Sequence, residues 1–584
     1  MADDEEKILP KEEALALARQ GKDEWNKWAA ENSGVAVEFW GHDFTKEEIS
    51  FAGFKFPGSV GFRGATILNG DFRDTNFCGK MNFIESVIFN GNAKFAKAKF
   101  CGITHFDHTI FNGNVSFEGT EFCGHSIEFY KTKFMNLNSF RSAIFSTRTI
   151  NFTEAEFSNS VDFSGGIFKS ECECIDFCGT RFDKRVNFSE IEFDVKRLTF
   201  IEAIFNNATF RSAKINSEEI NFSRAKFNHI NTDFDNAEFC GGDVNFEGTE
   251  FKAGVTAFRK AKFNGGDALF KRAKFNGGSA LFHNVDFSGG NADLSDAEFS
   301  GGNANFSGAQ FSKEAAFMDT NFEYESSFAG AKFGGPVNLE GSRFEVVPDF
   351  RRSTMSAHFT LHKMKVAYAI QSKKVWRVFK RAATDTDADK FRRLKELAVQ
   401  ARDHEREQDF FAKELKAKRF YEGFSATPAY DTNWARKFIV KKMKALFRLL
   451  LNLRSLLVII SLLPSYLYEW TSDFGRSLWW PTYWLFMTWL YFGVGYWLST
   501  LRFSEALGKF YLLPPHTLTE GLKLSLTTVV PFFALSRENF KSVRETLFGD
   551  NTGIWIDFAM VFEGVLAIIF IFLIGLALRN RFRI

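Results

Sequence analysis

Between Phe51 and Phe350, phenylalanine recurs at short, nearly fixed intervals. Phe246, Phe251, Phe258, Phe263, Phe270, Phe275, Phe282 and Phe287 are separated by 5, 7, 5, 7, 5, 7 and 5 residues. Phe306, Phe311, Phe317, Phe322, Phe328 and Phe333 follow at 5, 6, 5, 6 and 5. A helix repeats its apolar face every 3.6 residues and a half-buried strand every two, so a beat of five fits neither. A small residue stands two places before many of these rings, as at Ala261, Ala273, Ala309 and Ala331. The chain holds 75 Phe against 11 Tyr and 12 Trp. Such an imbalance follows if one position of a structural repeat demands Phe in every copy.

Quoted as they stand, AKFNG, AEFSG and AQFSK resemble the unit of the pentapeptide-repeat family, with a central Leu or Phe and a small residue two before it. The resemblance covers about 300 residues and about fifty units. It implies a right-handed quadrilateral β-helix with four units per turn, the central rings stacked inside and the small residue beside them. Each fully buried ring then contributes roughly 1.5–3 kcal/mol. The chain departs from the strict unit by adding one or two residues, often Gly-Gly, at every second spacing. Phe77, Phe100, Phe122, Phe145 and Phe168 lie 23, 22, 23 and 23 apart, one coil each. Insertions at alternate units predict two opposite corners, with Cys78, Cys101 and Cys123 stacked on one of them. About thirteen coils at ~4.8 Å give a rod of about 60 Å.

Residues 50–350 carry 31 basic and 38 acidic side chains, too small an acidic excess for the DNA mimicry that some pentapeptide-repeat proteins practise. No nucleic-acid partner is therefore expected. The rod reads as a spacer, or as a surface for a cytosolic protein partner. All seven cysteines lie in the repeat half. Cys172, Cys174 and Cys178 have no matching second pair and no nearby His, so no metal and no cofactor are expected, and a reducing compartment fits. No nucleophile–base, paired-carboxylate or phosphate-loop arrangement stands out, so the chain is not expected to be an enzyme. The polar start MADDEEKILPKEE is not a secretory signal.

The order of segments is then a helical cap (1–45), the β-helix (46–352), a cytosolic helical hairpin (353–425), a basic interfacial segment (426–473) and a transmembrane region (474–584). Apolar spacing predicts one hairpin helix over His362–Ala382 and a second over Thr386–Tyr421, with Asp385 or Thr386 as cap. The pair would cover the open end of the β-helix. Residues 351–450 hold 25 Lys/Arg against 11 Asp/Glu, a bias that suits an anionic surface. Arg436, Lys437, Lys441, Lys442, Lys444 and Arg448 precede Ser455–Leu467, which is short for a span, contains Pro464, and reads as an interfacial helix.

Leu478–Leu501 has no formal charge and is rich in Trp and Tyr; Ile554–Leu578 is apolar and is followed by Arg579, Arg581 and Arg583. Both read as spans. Basic residues precede the first and follow the last, so both termini are expected in the cytoplasm of an inner membrane. Between them, Leu518–Val529 is too short and polar to span and is stopped by Pro531; it reads as a re-entrant helix. Span, short helix, span is the pore unit of the two-transmembrane ion-channel superfamily, and residues 474–584, closing in ALRNRFRI, resemble a bacterial channel-like domain. The resemblance implies a homotetramer in a lipid bilayer. The filter candidates are Thr527, Thr528, Val529, Val530, Pro531 and Phe532. This run has no glycine to allow the backbone of a TVGYG filter, so potassium selectivity is not expected. Glu563 is an intramembrane carboxylate, with Ala567, Phe570 and Ile574 on its face; it reads as pore-lining, as a protonated glutamate hydrogen-bonded inside the subunit bundle, or as exposed to lipid. Asp557 reads as an interfacial anchor. A membrane-anchored scaffold, or a signalling or defence protein, whose rod binds a protein partner is the competing expectation.

Overall fold

A computed structural model describes residues 7–367 (save 48, 85–86, 230, 253 and 356–357), 386–424, 464–500, 502–504, 509–511, 516–529, 535–548 and 553–581. The chain divides into two compact units, Met1–Glu407 and Gln408–Ile584.

The first unit is a parallel β-solenoid of about 14 turns. Its strands are mostly two residues long and pair with every fourth strand along the chain: Asn76–Phe77 with Lys99–Phe100, Met81–Asn82 with Thr104–His105, Ile88–Phe89 with Ile110–Phe111, Ala93–Lys94 with Val115–Ser116. Four ladders therefore make four sides. Each side sends its Phe inward, where it meets the same Phe of the next coil almost face to face. Phe134 and Phe157 lie 4.6 Å apart at 2°, Phe177 and Phe200 4.8 Å apart at 7°. Rings of adjoining sides meet edge-on, as Phe106 and Phe117 do at 78°, the arrangement favoured by the ring quadrupole.

The alternate spacings resolve into two kinds of corner. Where two residues join two sides, the second takes a left-handed backbone: Asp74, Lys97, His108 and Lys131 have φ of 56, 58, 58 and 52°. The Asx residue just before the inward Phe braces this turn. Asn151 accepts from Thr153 N at 2.8 Å, Asp176 from Cys178 N at 2.7 Å and Asn245 from Glu247 N at 2.8 Å, the competition by short polar side chains that makes turns. The inserted residues occupy the other two corners, which are opposite, as their spacing predicts. Glycines stack there because coils touch through backbone: a Cβ on Gly102 would lie 2.2 Å from Gly79 O. In mid-rod the inserted corner straightens, and Glu192–Thr199, Lys214–Asn221 and Glu238–Asn245 run through it as paired strands. Cys78, Cys101 and Cys123 do share a corner; the Cys101 and Cys123 sulfurs are 3.5 Å apart. Burial and the neighbouring thiol push the Cys101 thiol up to about 12.

In several coils the small position is filled by Thr. Thr75, Thr109, Thr120 and Thr132 each donate from Oγ1 to a Phe carbonyl of the preceding coil at 2.6–2.8 Å, so buried hydroxyls cost nothing unpaired. The N-terminal end is closed by helices Lys11–Arg19 and Lys22–Glu31. Trp25 stacks on Phe54 at 5.2 Å and donates to Lys55 O at 3.0 Å.

The solenoid runs past the expected boundary at 352. Phe359–Thr360 pairs with Val337–Asn338 and Lys365–Val366 with Arg343–Phe344. His362–Ala367 is therefore coil of the rod rather than the start of a helix. Leu361 and Met364 take the inward places of Leu339 and Ser342 one turn earlier, and their three-residue spacing imitates a helical one. The rest of that expected helix, 368–385, lies outside the described residues. The second expected helix is two: Asp387–Gln400 and His404–Phe424, broken where Arg402 adopts φ 56°. Thr386 precedes the first, but its side chain makes no capping bond to it. The first buries Phe391, Leu394, Leu397 and Ala398, and Arg393 donates to Ser353 O at 2.8 Å; this one helix therefore meets the last coil.

In the second unit, residues 464–472 are helical, while 425–463, with the basic residues Arg436–Arg448 and most of Ser455–Leu467, lie outside the described residues. Helix Trp479–Leu498 follows, then a hairpin of Arg502–Ser504 with Lys509–Tyr511, helix His516–Val529, helix Leu535–Phe548 and helix Ile554–Arg581. The hairpin and the Leu535–Phe548 helix were not legible as such in sequence. Among the described residues, one helix, Ile554–Asn580 with mean hydropathy 2.7, is long and apolar enough to cross a membrane. Trp479–Leu498 is long enough but its Trp and Tyr, apolar in body and polar at the tip, keep its hydropathy below that mark.

Candidate functional site

The short helix His516–Val529 packs against both long helices. Its approach to Trp479–Leu498 is made possible by two glycines. A Cβ on Gly521 would lie 2.6 Å from Gly493 O, and one on Gly493 would lie 2.7 Å from Leu522 Cδ2. Close backbone contact through small residues is how helices associate where water supplies no drive. Trp489 Nε1 donates to Leu522 O at 3.0 Å across the same contact. On the other side Tyr496, Leu524, Val543, Leu547 and Met560 form a buried cluster that draws in helix Leu535–Phe548.

Glu563 lies inside this packing, wholly buried. Tyr496 Oη donates to its Oε2 at 2.8 Å, and Ser525 Oγ is hydrogen-bonded to its Oε1. Ser525 Oγ also lies 2.9 Å from Trp489 O. One polar node thus joins the short helix to both long ones. Ala567 and Phe570 are buried on the same face, and Ile574 is half-buried. Thr527 and Thr528 are half-buried and turn their hydroxyls back to Leu524 O at 2.7 and 3.0 Å. Thr528 packs towards Gly564. Val529 is buried; Val530, Pro531 and Phe532 lie outside the described residues. The structure therefore sets Thr528 beside Gly564, next to Glu563 in the chain, and adds Tyr496, Ser525 and the Gly493–Gly521 crossing, which sequence reasoning missed. A hydroxyl between two leucines, Leu524 and Leu526, was the signal for Ser525.

The helix ends are also fixed. Asn580 Nδ2 donates to Gly475 O at 3.2 Å, and Gln408 Nε2 to Asn580 O at 3.1 Å. Lys416 pairs with Glu469 at 2.8 Å and Arg476 with Asp409 at 3.3 Å. At the opposite end Asp557 is paired with Arg544 at 3.0 Å. The outward faces are apolar: Trp555 is 83% exposed, Val561 67% and Phe572 67%.

Elsewhere, Cys172 is buried and its thiol pushed up to about 12 by burial, and Cys178 to about 11. No group of three metal-ligating side chains stands together among the described residues. Comparison with family profiles, curated proteins and solved structures finds no match to the chain.

Proposed function

We propose that this chain is an oligomeric, channel-like protein of a bacterial inner membrane, with the β-solenoid as a cytosolic arm that senses or gates. The observation that carries this reading is the short helix held between two long ones by a glycine crossing and a buried polar node, with apolar side chains facing outward. A half-apolar helix of this length is tolerated at membrane depth only where protein or a water-filled path surrounds it. The Gly475–Asn580 bond brings the start of one long helix to the end of the other, which suits two antiparallel spans and two cytoplasmic termini. Copies of the unit, four by analogy with the superfamily, would bring Thr527, Thr528 and the run through Pro531 and Phe532 towards a shared axis. The filter is not of the potassium type.

The second reading is a membrane-anchored scaffold whose rod binds a protein partner. It is favoured by the inward turn of Glu563, Ala567 and Phe570, which leaves that face no free wall to line. Reconstitution of the full chain in planar bilayers separates the two, with wild type beside Thr528→Ala and Glu563→Gln. Conductance altered by Thr528→Ala supports the channel. Absence of conductance under every ionic condition overturns it in favour of the scaffold, and conductance unchanged in both variants overturns the assignment of these residues to the path.

A further inference from the structure

We infer that Glu563 is a neutral carboxylic acid in the folded protein, and that its proton latches the short helix to both long helices. The argument is a count of protons. Ser525 owns one hydroxyl hydrogen but has two acceptors in reach, Trp489 O at 2.9 Å and Glu563 Oε1. It can serve only one of them. If Glu563 Oε1 carries a proton, every contact is satisfied in a single direction. Tyr496 Oη donates to Glu563 Oε2, Glu563 Oε1 donates to Ser525 Oγ, and Ser525 Oγ donates to Trp489 O. With a carboxylate, Ser525 must turn its hydrogen to Glu563, and the bond to Trp489 O has no proton.

Among the described residues, no cation is paired with Glu563. Helix Trp479–Leu498 contains no Asp, Glu, Lys or Arg. On the short helix, Lys523 is paired with Glu520 at 2.7 Å on the exposed side. On helix Leu535–Phe548, Arg544 is taken by Asp557 and Lys541 is exposed. On its own helix, the nearest acid, Asp557, is that same partner, and Arg579 lies at the far end. A buried, unpaired carboxylate is among the costliest groups a protein can hold, whereas the neutral acid closes the chain of hydrogen bonds.

The latch has a direction. With the proton in place, three helices are tied through one node. As pH rises and the proton leaves, Ser525 swings its hydrogen from Trp489 O to Glu563, and the tie from the short helix to Trp479–Leu498 through that hydroxyl is lost. The inference stands on the hydrogen-bond geometry of a single chain and is independent of conduction, so its failure and that of the channel reading are read out separately.

Infrared spectroscopy of the full chain in lipid vesicles tests it. At neutral pH the carbonyl band of a protonated carboxylic acid is expected in wild type and Asp557→Asn, and is lost in Glu563→Gln. A wild-type spectrum equal to that of Glu563→Gln in this region overturns the assignment. Ser525→Ala, which keeps the carboxyl and removes its acceptor, is expected to shift the band to higher frequency; an unmoved band overturns the Glu563–Ser525 bond. Raising the pH should remove the band and, in the same pH range, lower the protection of the amides of 516–529 once exchange is divided by its intrinsic base-catalysed rate. Protection that stays constant while the band disappears overturns the latch.

Discussion

In the solenoid most buried rings meet a copy of themselves one turn away; in the helical unit the buried contacts do not recur at a fixed interval. Phe129 and Phe152 stack at 4.6 Å and 7°, and the same pairing recurs along four columns. Phe492 and Tyr496 meet once, at 6.2 Å and 45°, and the node of Tyr496, Glu563 and Ser525 has no second copy. A repeated contact leaves a period in the sequence. A single contact leaves none. The first unit should therefore share its stability among equivalent nearest-neighbour interfaces, while the second concentrates it in a few positions.

The largest expected effect tests that sharing. Phe200→Ala should cost ~3–5 kcal/mol by denaturant unfolding, the usual loss for a buried ring. Phe129→Ala and Phe222→Ala, in the same column, should cost nearly the same. Unequal values within one column would break the equivalence. In the helical unit, Gly521→Val should cost ~1–3 kcal/mol by overpacking the Gly493 crossing, whereas Gly575→Val, with open space at its Cβ, should be nearly neutral. Equal losses at both would mean that the crossing carries no special weight.

These two regions were unequally legible for the same reason. The four-sided coil follows from the resemblance to the pentapeptide-repeat unit, and the two opposite inserted corners and the Cys78–Cys101–Cys123 column follow from the spacing laid onto it. The tight corners were also written, as an Asx before several of the Phe (Asn151, Asp176, Asn245), but that signal is read only once the turn chemistry is known. The rod's last turn was missed because Leu361 and Met364 have no Phe beside them, and Val366 replaces the ring at the final inward place. In the helical unit, Glu563 was visible as a charge in an apolar run. Its partners were not, because Tyr496 and Ser525 lie 67 and 38 residues away and no periodicity links them. The Trp479–Leu498 helix was legible as a helix, though composition alone leaves its crossing of a membrane to the proposal.

Smaller effects sharpen the contrast within the rod. Gly119 has φ 63° and only the Lys97 side chain near its Cβ, so Gly119→Ala should cost ~1 kcal/mol, the price of a left-handed non-glycine residue. Gly102→Ala should cost more, because its Cβ would meet the Gly79 carbonyl. A reversed order in thermal unfolding would overturn the distinction between tight and inserted corners. Least of all, the thiols should differ without affecting stability. Alkylation requires the thiolate, and Cys101 is pushed up to about 12, so at pH 8 it should react much more slowly than the exposed Cys78 and Cys123, and faster as pH rises. Mass spectrometry after timed alkylation checks this.

The functional account stands or falls on what surrounds the short helix in the assembled protein. Single-particle imaging of the full chain in lipid nanodiscs measures it directly. A closed symmetric ring, with residues 516–529 of every copy converging on a central path lined by protein, is the predicted result. A monomer, or a ring whose centre is filled with lipid, would contradict it and leave the solenoid as the arm of a scaffold.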